Sequence, residues 1–467
     1  MNPTELIQAL ALQRSAYQAH PVPDYASRCT DLKKLKQFLS ENKEAICTAI
    51  SADYGHRSRH ETMLFEIVPA QSAIDHALKH IKRWMRPQSR AVDRKAFGLA
   101  SNRVLPQPLG VVGVINPWNF PINLSFGALT AIFAAGNRAM VKMSENSRHL
   151  TRLLIEKIPA YFPPEKLLFI DETGGVGAVF SSLSFDHIMF TGSSTTGRLV
   201  MAAAAHNLCP VTLELGGKSP ALVLDDFDLP TAASRILYAK LVNAGQICTT
   251  VDHVYVPRAK VAAFVALCQT LAKARYPSLA SSVYTAIIND SAYTRLLQAL
   301  EQARATGAEV INLIGGDTGH AGSRKIAPHV VVNPDANGAL MQREIFGPIL
   351  PIVPYDSVQE VVNVINAKPR PLAFYPFTND PALIDDLLNQ VMSGGVSIND
   401  ALFHVGQHDL PFGGVGESGT GHYHGREGFE TFSKMRPIFH QSRFAFTHLL
   451  FPPYGKTIDC VLRFFIR

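Results

Sequence analysis

Leu109-Gly110-Val111-Val112-Gly113-Val114-Ile115 runs directly into Asn116-Pro117-Trp118-Asn119-Phe120-Pro121. The first run is apolar without alternation, the pattern of a strand buried on both faces of a sheet. The prolines and asparagines of the second run break it with a turn. An apolar helix is expected next, to about Ala135, closed by Gly136. A strand at Ala139 to Met143, a helix at Arg148 to Ile158, short strands near Leu167 and Ile188 and a helix after Thr195 continue the series. Strand, helix and strand in alternation predict an α/β fold with a doubly wound parallel sheet. A second α/β series runs from Ala221 to about Asn399 and includes Ile326 to Val332 and Pro371 to Phe377. Before position 90 the chain reads helical. Leu32, Leu35, Phe38, Leu39 and Ile46 recur near a helical period, as do Leu64, Ile67, Ile74, Leu78, Ile81 and Trp84 before Pro87. Residues 91–108 have no strong period and predict extended arms.

With 467 residues, 47% hydrophobic and 18% charged, the chain reads as a globular enzyme of two or three packed domains. The net charge of +6 comes from scattered Lys and Arg with no basic run. That favours a solvated surface over nucleic-acid binding, and an anionic dinucleotide needs only a few such charges. Cys29, Cys47, Cys209, Cys248, Cys268 and Cys460 are dispersed, without a zinc-type spacing, which predicts a reducing, cytoplasmic setting and no metal. His56, His404, His422 and His424 are likewise spaced for no standard metal site. No signal peptide and no membrane-spanning run is evident. In the tail, 443–467, Phe444 to Phe451 and Ile458 to Ile466 are apolar and interrupted by Arg443, Lys456 and Arg463. Docking on the chain's own body or on a dimer partner is the expectation, with weak peripheral membrane contact as the alternative.

Two segments carry the chemistry. Asn243-Ala244-Gly245-Gln246-Ile247-Cys248-Thr249-Thr250 presents a thiol, and Leu213-Glu214-Leu215-Gly216-Gly217-Lys218-Ser219-Pro220 presents a carboxylate 34 residues earlier. A thiolate attacks carbonyl carbon, and a carboxylate can activate the water that cleaves the thioester so formed. Asn119 ends the first buried strand, where a side-chain amide can donate to a developing oxyanion. Taken alone, each has an ordinary reading: a buried cysteine, a surface carboxylate, a turn asparagine. Gly414-Val415-Gly416-Glu417-Ser418-Gly419 matches a dinucleotide fingerprint literally, but it succeeds no apolar strand and opens no helix. It reads instead as a turn near the mouth of the active site.

These segments, in sequence and in separation, resemble the aldehyde dehydrogenase superfamily over nearly the whole chain. The resemblance implies an α/β fold with doubly wound sheets in a cofactor domain (1–90 and 109–213) and a catalytic domain (214–415). It adds a bridging and oligomerisation β element (91–108 and 426–442). It makes Cys248 the nucleophile, Glu214 the general base, and Asn119 with the Cys248 N–H the oxyanion donors. Aldehyde would be oxidised to acid with NAD, NADP remaining open. For the cofactor it implies Gly192, Ser193 and Gly197 in Phe190-Thr191-Gly192-Ser193-Ser194-Thr195-Thr196-Gly197-Arg198. Lys142 and Glu145 would hold the adenosine ribose. Glu344 and Phe346 would position the nicotinamide ribose and ring, and Ile115, Trp118 and Leu215 complete the set. A carboxylate at Glu145 would repel a 2′-phosphate and favour NAD. Arg343 departs from the pattern, since many members carry an acidic residue there. Asp53 to Thr62 and Asn399 to Phe429 resemble the coniferyl aldehyde branch, beside the class 3 and fatty aldehyde dehydrogenases. Tyr54, Phe126, Phe403 and His404 are candidates for an aldehyde tunnel. Medium- or long-chain aliphatic aldehydes are the alternative substrates, and a homodimer is implied. A non-redox thioesterase or esterase, or a non-catalytic structural protein, are the competing readings.

Overall fold

A computed structural model describes residues 1–172, 175–445, 447 and 451–466. The apolar run at 111–115 forms the strand Val111–Ile115, buried at every residue. It is central in a six-stranded sheet ordered Gly419–Thr420, Val211–Glu214, His187–Thr191, Val111–Ile115, Arg138–Lys142, Leu167–Ile170. All neighbours are parallel except Gly419–Thr420. The chain winds outward through 138–142 and 167–170, then returns to place 187–191 and 211–214 on the other side. The winding therefore reverses between Val111–Ile115 and His187–Thr191, and ligands bind at the carboxyl ends of strands at such a point.

The helix Pro121–Ala135 is apolar on every face and closes on Gly136 in the left-handed region. Such a helix must be covered on both sides. The sheet covers one side. The long helix Tyr25–Tyr54 and the helix Val68–Trp84 cover the other. Where one helix up to Trp84 was expected, the structure has Arg59–Thr62, a π turn at Met63–Ile67 and then Val68–Trp84. Pro69 lacks the N–H that a regular turn would need there, and a wide π turn is the local solution.

A second sheet is ordered Glu309–Asn312, His329–Val332, Ile349–Tyr355, His253–Pro257, Pro220–Val223, Ala373–Phe377, Gly395–Val396. Only Glu309–Asn312 runs antiparallel. The strand expected at 326–332 is split: Lys325–Ile326 pairs with Gly319–His320, and the sheet strand starts after Pro328. Five residues, 215–219, separate the last parallel strand of the first sheet from the first strand of the second. So short a link makes the carboxyl ends of the first sheet face the amino ends of the second across one cleft.

A third, antiparallel sheet joins Gln88–Arg90, Ser101–Pro108 and Ser433–His440. The arm read as extended over 91–108 also contains a short helix, Arg94–Phe97, capped by Asp93. Residues 426–431 lie in the helix Gly425–Thr431. In the tail, Lys456–Phe465 is helical. The apolar run expected at 444–451 falls partly on 446 and 448–450, outside the described residues. Among the described residues no helix is long and apolar enough to cross a membrane.

Candidate active site

A cavity of about 820 Å³ fills the cleft between the two sheets. The first sheet contributes residues at or just past its strand ends: Trp118 and Asn119, Gly192 and Ser193, Glu214. The second contributes residues that precede its strands, Cys248, Glu344 and Phe346, and Leu215 comes from the link. The structure thus brings nine of the expected site residues to one cavity. Ile115, Lys142, Glu145 and Gly197 are outside its lining. Ile115 and Lys142 are paired in register at neighbouring strand ends, and Lys142 forms an ion pair with Glu172. Glu145 is exposed beside Ser144 and Asn146. Gly197 lets the helix Ser194–Ala205 approach the Leu215 side chain closely.

Cys248 is partly exposed and its thiol is free. Its position depends on the backbone before it: Asn243, Ala244 and Gly245 have φ of 52°, 51° and 74°. Left-handed conformation costs a non-glycine residue roughly 1–2 kcal/mol, so two in succession persist only if their surroundings hold them. Here they do. The Asn243 N–H donates to Glu61 at 3.1 Å, and its side-chain amide donates to the Tyr54 hydroxyl at 3.1 Å. Gln246 donates to the carbonyls of Asn243 and Ala286 at 2.9 and 3.0 Å and accepts from Ile288 N–H at 3.0 Å. Gly245 needs to be glycine twice over, since a Cβ there would also collide with the Gly347 carbonyl.

Asn119 is 4% exposed. Its main-chain carbonyl accepts from Arg57 Nη1 at 2.9 Å and from the Tyr54 hydroxyl at 3.0 Å. Arg57 is held in turn by Glu66 at 2.8 Å, and the other Glu66 oxygen accepts the N–H groups of Ile122 and Asn123 at the start of the next helix. The π turn supplies Glu66 to this buried ion pair, which holds the Asn119 carbonyl. The Asn119 Nδ2 donates to Gln246 O at 3.3 Å, which leaves its second hydrogen for another acceptor.

The Glu214 carboxylate is 1% exposed, and neither oxygen has a hydrogen-bond partner. Burial alone raises its pKa well above the ordinary carboxylate range. Burial also raises the Cys248 thiol, with the carboxylates of Glu214 and Glu344 adding to the shift. Glu344 is pushed up to about 8, first by burial and then by Asp252. One of its oxygens is unpartnered, and the absence of a side chain at Gly216 makes room for the other. The thiol and both carboxyls therefore favour their neutral forms together.

Sequence reasoning missed the scaffold of this electrostatic field. Asp252 is fully buried and paired with Lys218, and its other oxygen accepts from the Ile345 N–H at 2.9 Å. Lys218 also donates to the carbonyls of Leu340 and Arg343, at 2.7 and 3.0 Å. Lys240 is fully buried with no hydrogen-bond partner on its amine, and burial pulls it down to about 8. The available signal was a charge inside an apolar run: Lys240 in Leu237-Tyr238-Ala239-Lys240-Leu241-Val242, Asp252 between Val251 and His253-Val254.

The literal GxGxxG stretch is a turn. Ser418 Oγ accepts from the Val415 N–H, and Ser418 O accepts from Leu215 N–H. Glu417 pairs with Arg198 at 2.9 Å, which pins the turn against the helix Ser194–Ala205. Among the tunnel candidates, Phe126 is core, stacked on Phe38 and Phe169. Tyr54 and Trp118 meet edge-on at 5.8 Å, and Trp118 meets Phe346 at 5.5 Å. Phe403 is half exposed against Tyr238, and His404 bonds Ser397 at 2.9 Å. Among the described residues no three His, Cys, Asp or Glu side chains are grouped to hold a metal ion.

A doubly wound sheet facing a cysteine-bearing second sheet across one cleft is matched by known proteins. The profile of the Aldehyde dehydrogenase family matches residues 2–438. A relative from Pseudomonas aeruginosa, named "Probable coniferyl aldehyde dehydrogenase", is 44% identical over 99% of this chain and 97% of its own. The solved "Substrate bound state of Staphylococcus Aureus AldH" superposes with a TM-score of 0.93 at 31% identity, covering all of both chains. An aldehyde dehydrogenase from Mycobacterium tuberculosis complexed with NAD+ superposes at 0.84 with 26% identity, over 94% of this chain and 90% of that one. The chain belongs to the aldehyde dehydrogenase family.

Proposed function

We propose that the protein oxidises a hydrophobic aldehyde, with coniferyl aldehyde as the leading substrate, to its carboxylic acid with NAD(P). The observation that carries this reading is a partly exposed thiol, a buried amide donor and an unpartnered buried carboxylate lining one cavity. Cys248, its proton first released to solvent, attacks the carbonyl carbon as thiolate. The oxyanion rests on Asn119 Nδ2 and the Cys248 N–H. Loss of hydride leaves an acyl thioester on Cys248. Glu214 then draws a proton from water, the hydroxide oxygen bonds the acyl carbon, and the Cys248 sulfur departs with the acid released.

A nicotinamide dinucleotide, when bound, supplies the hydride acceptor. The cavity's size, the unpartnered Glu344 oxygen and the opening of the helix Ser194–Ala205 at Gly192 and Ser193 suit such a ligand. Trp118, Leu215 and Phe346 would flank it. Ile115, Lys142, Glu145 and Gly197 extend the reading toward its adenosine end, along the first sheet.

The domain division read from sequence belongs to this proposal: cofactor on 1–90 and 109–213, nucleophile on 214–415, bridging on 91–108 and 426–442. So does a homodimer, supported by the Ser433–His440 strand, which pairs on one edge only. Six free cysteines suit a cytoplasmic setting. The deciding experiment is NADH formation with coniferyl aldehyde and with a medium-chain alkanal, for the native protein and Cys248→Ser. Turnover that survives the substitution sinks the reading. Faster turnover of the alkanal moves it to the aliphatic branch.

A further inference from the structure

Arg343, which departs from the pattern of many family members, lines the large cavity together with Arg295, Lys368 and Arg370. All four are on the side of the second sheet. Arg343 precedes the strand Ile349–Tyr355, Lys368 and Arg370 precede Ala373–Phe377, and Arg295 is on the helix Asp290–Ala305. The other charges of the cavity are already matched or suppressed. Lys218 is paired with Asp252 and Glu417 with Arg198, while burial holds Glu214 and Glu344 toward their neutral forms. Among the described residues, no carboxylate forms an ion pair with Arg295, Arg343, Lys368 or Arg370. The four also act on one another and on Lys218. Burial and then Arg343 lower the Arg295 guanidinium, and burial and then Lys218 lower the Lys368 amine. Cations gathered without counter-charges repel, and an anion completes such a cluster.

The turn at Gly416 ties this cluster to the opposite wall. A Cβ at Gly416 would lie 3.8 Å from Arg370 Cδ. The next residue, Glu417, accepts from the Ser194 hydroxyl at its main-chain oxygen, at 3.0 Å, and from Arg198 at its carboxylate. Ser194 opens the helix Ser194–Ala205, and residues 192–196 line the cavity there. Arg370 and the helix opening therefore meet neighbouring residues of one turn. The backbones that carry the two arginines are seated. Next to Arg370, Pro371 and Leu372 press on the link at Gly217, where a Cβ would lie 3.4 and 3.1 Å from them. The Arg343 carbonyl accepts from Lys218 at 3.0 Å, and Arg295 donates to the Ile345 carbonyl at 2.9 Å. Arg343 and Arg370 themselves are exposed.

We propose that Arg343 and Arg370, backed by Arg295 and Lys368, form a cationic lip that captures the phosphates of the dinucleotide as it enters the cavity, across from the helix opening at Ser193. The ligand class is a diphosphate ester. A guanidinium offers two parallel donors to phosphate oxygens, and an exposed one meets an incoming anion before the buried groups do. The lip sets the rate of capture, as charges at the rim of a binding site do. The inference rests on the cavity taking a nicotinamide dinucleotide.

Trp118 lines the cavity, so stopped-flow quenching of tryptophan fluorescence by NADH reads association. The native rate constant should fall about tenfold between about 0.01 M and about 1 M salt, over which the screening length drops from about 30 Å to about 3 Å. The double variant Arg343→Gln, Arg370→Gln should bind about tenfold more slowly at low salt and lose most of that salt dependence, with dissociation changed far less. Arg343→Lys should keep the native rate. Arg343→Glu, which restores the acidic charge of many members, should be slower than Arg343→Gln. Both positions are exposed, so these variants should fold. A native rate in the double variant, or equal rates for Arg343→Lys and Arg343→Glu, overturns the proposal. Calorimetry with inorganic pyrophosphate separates the lip from the cofactor reading. Pyrophosphate held by the native protein and not by the double variant, with no binding of NADH, keeps the lip and retires the dinucleotide. NADH binding at a rate indifferent to both arginines retires the lip and keeps the dinucleotide.

Discussion

The two large sheets meet the cleft with opposite ends. The first offers carboxyl ends, at Ile115, Thr191 and Glu214. The second offers amino ends, at Pro220, His253 and Ile349. Regular backbone suffices on the first side, because strand ends there open onto helix starts and turns that suit a ligand. On the second side there is no such arrangement, and the nucleophile is reached through the left-handed stretch 243–245. The first side holds its residues by topology; the second holds its cysteine by a strained loop tied down by buried hydrogen bonds.

The comparison is broken most severely at the thiol. Cys248→Ser should lower NADH formation by on the order of a thousandfold or more, measured by absorbance with saturating aldehyde. On the first sheet's side, Asn119→Ala removes an oxyanion donor and should cost kcat about a hundredfold, or ~3 kcal/mol, with a smaller effect on KM. An unchanged kcat would place the oxyanion elsewhere. Glu214→Gln keeps the shape but not the base. Stopped-flow traces should show a first turnover of NADH and then a steady state slower by about a hundredfold, because thioester hydrolysis has lost its proton acceptor.

Gly245→Ala sharpens the comparison from the second side. It imposes a Cβ at φ 74° against the Gly347 carbonyl, and should destabilise the fold by about 1–3 kcal/mol, read as a lower Tm. An alanine placed in the turns of the first sheet at ordinary φ should cost far less. The smallest effect is a pH shift. Burial first, and then two carboxylates, raise the Cys248 thiol, so its alkylation by iodoacetamide, tracked on the Cys248 peptide by mass spectrometry, should climb only at alkaline pH. Glu344→Gln removes one negative charge, favours the thiolate, and should move that climb to lower pH. No movement would mean that burial alone sets the thiol.

The first sheet was the more legible side. Val111–Ile115 announces itself by composition, and its neighbours can be read from the strand–helix alternation. Cys248, Glu214 and Asn119 were readable through motif resemblance, and all three line one cavity. The pieces that hold them were not. Arg57 and Glu66 are nine residues apart, Glu66 on a π turn that no periodicity reveals, and their joint hold on Asn119 depends on a fold that brings 57, 66 and 119 together. Lys218 and Asp252 lie 34 residues apart and meet only when the second sheet is built. A charge in an apolar run says that a partner must exist; it does not say which. Phe126 failed as a tunnel wall for the converse reason, since a phenylalanine on an all-apolar helix fits core and cleft equally well until the packing is seen.

The pairing of Gly419 with Glu214 spans 205 positions of chain, and Phe432 closes over Asn137 across 295. On the ribosome, the strand that ends in Glu214 is therefore synthesised long before its edge partner exists. Until residue 419 emerges, Val211–Glu214 is an open edge whose N–H and C=O groups await a neighbour. The cleft is therefore completed only after residue 419 has been made, and until then the half-made chain carries an open edge of the kind that invites aggregation.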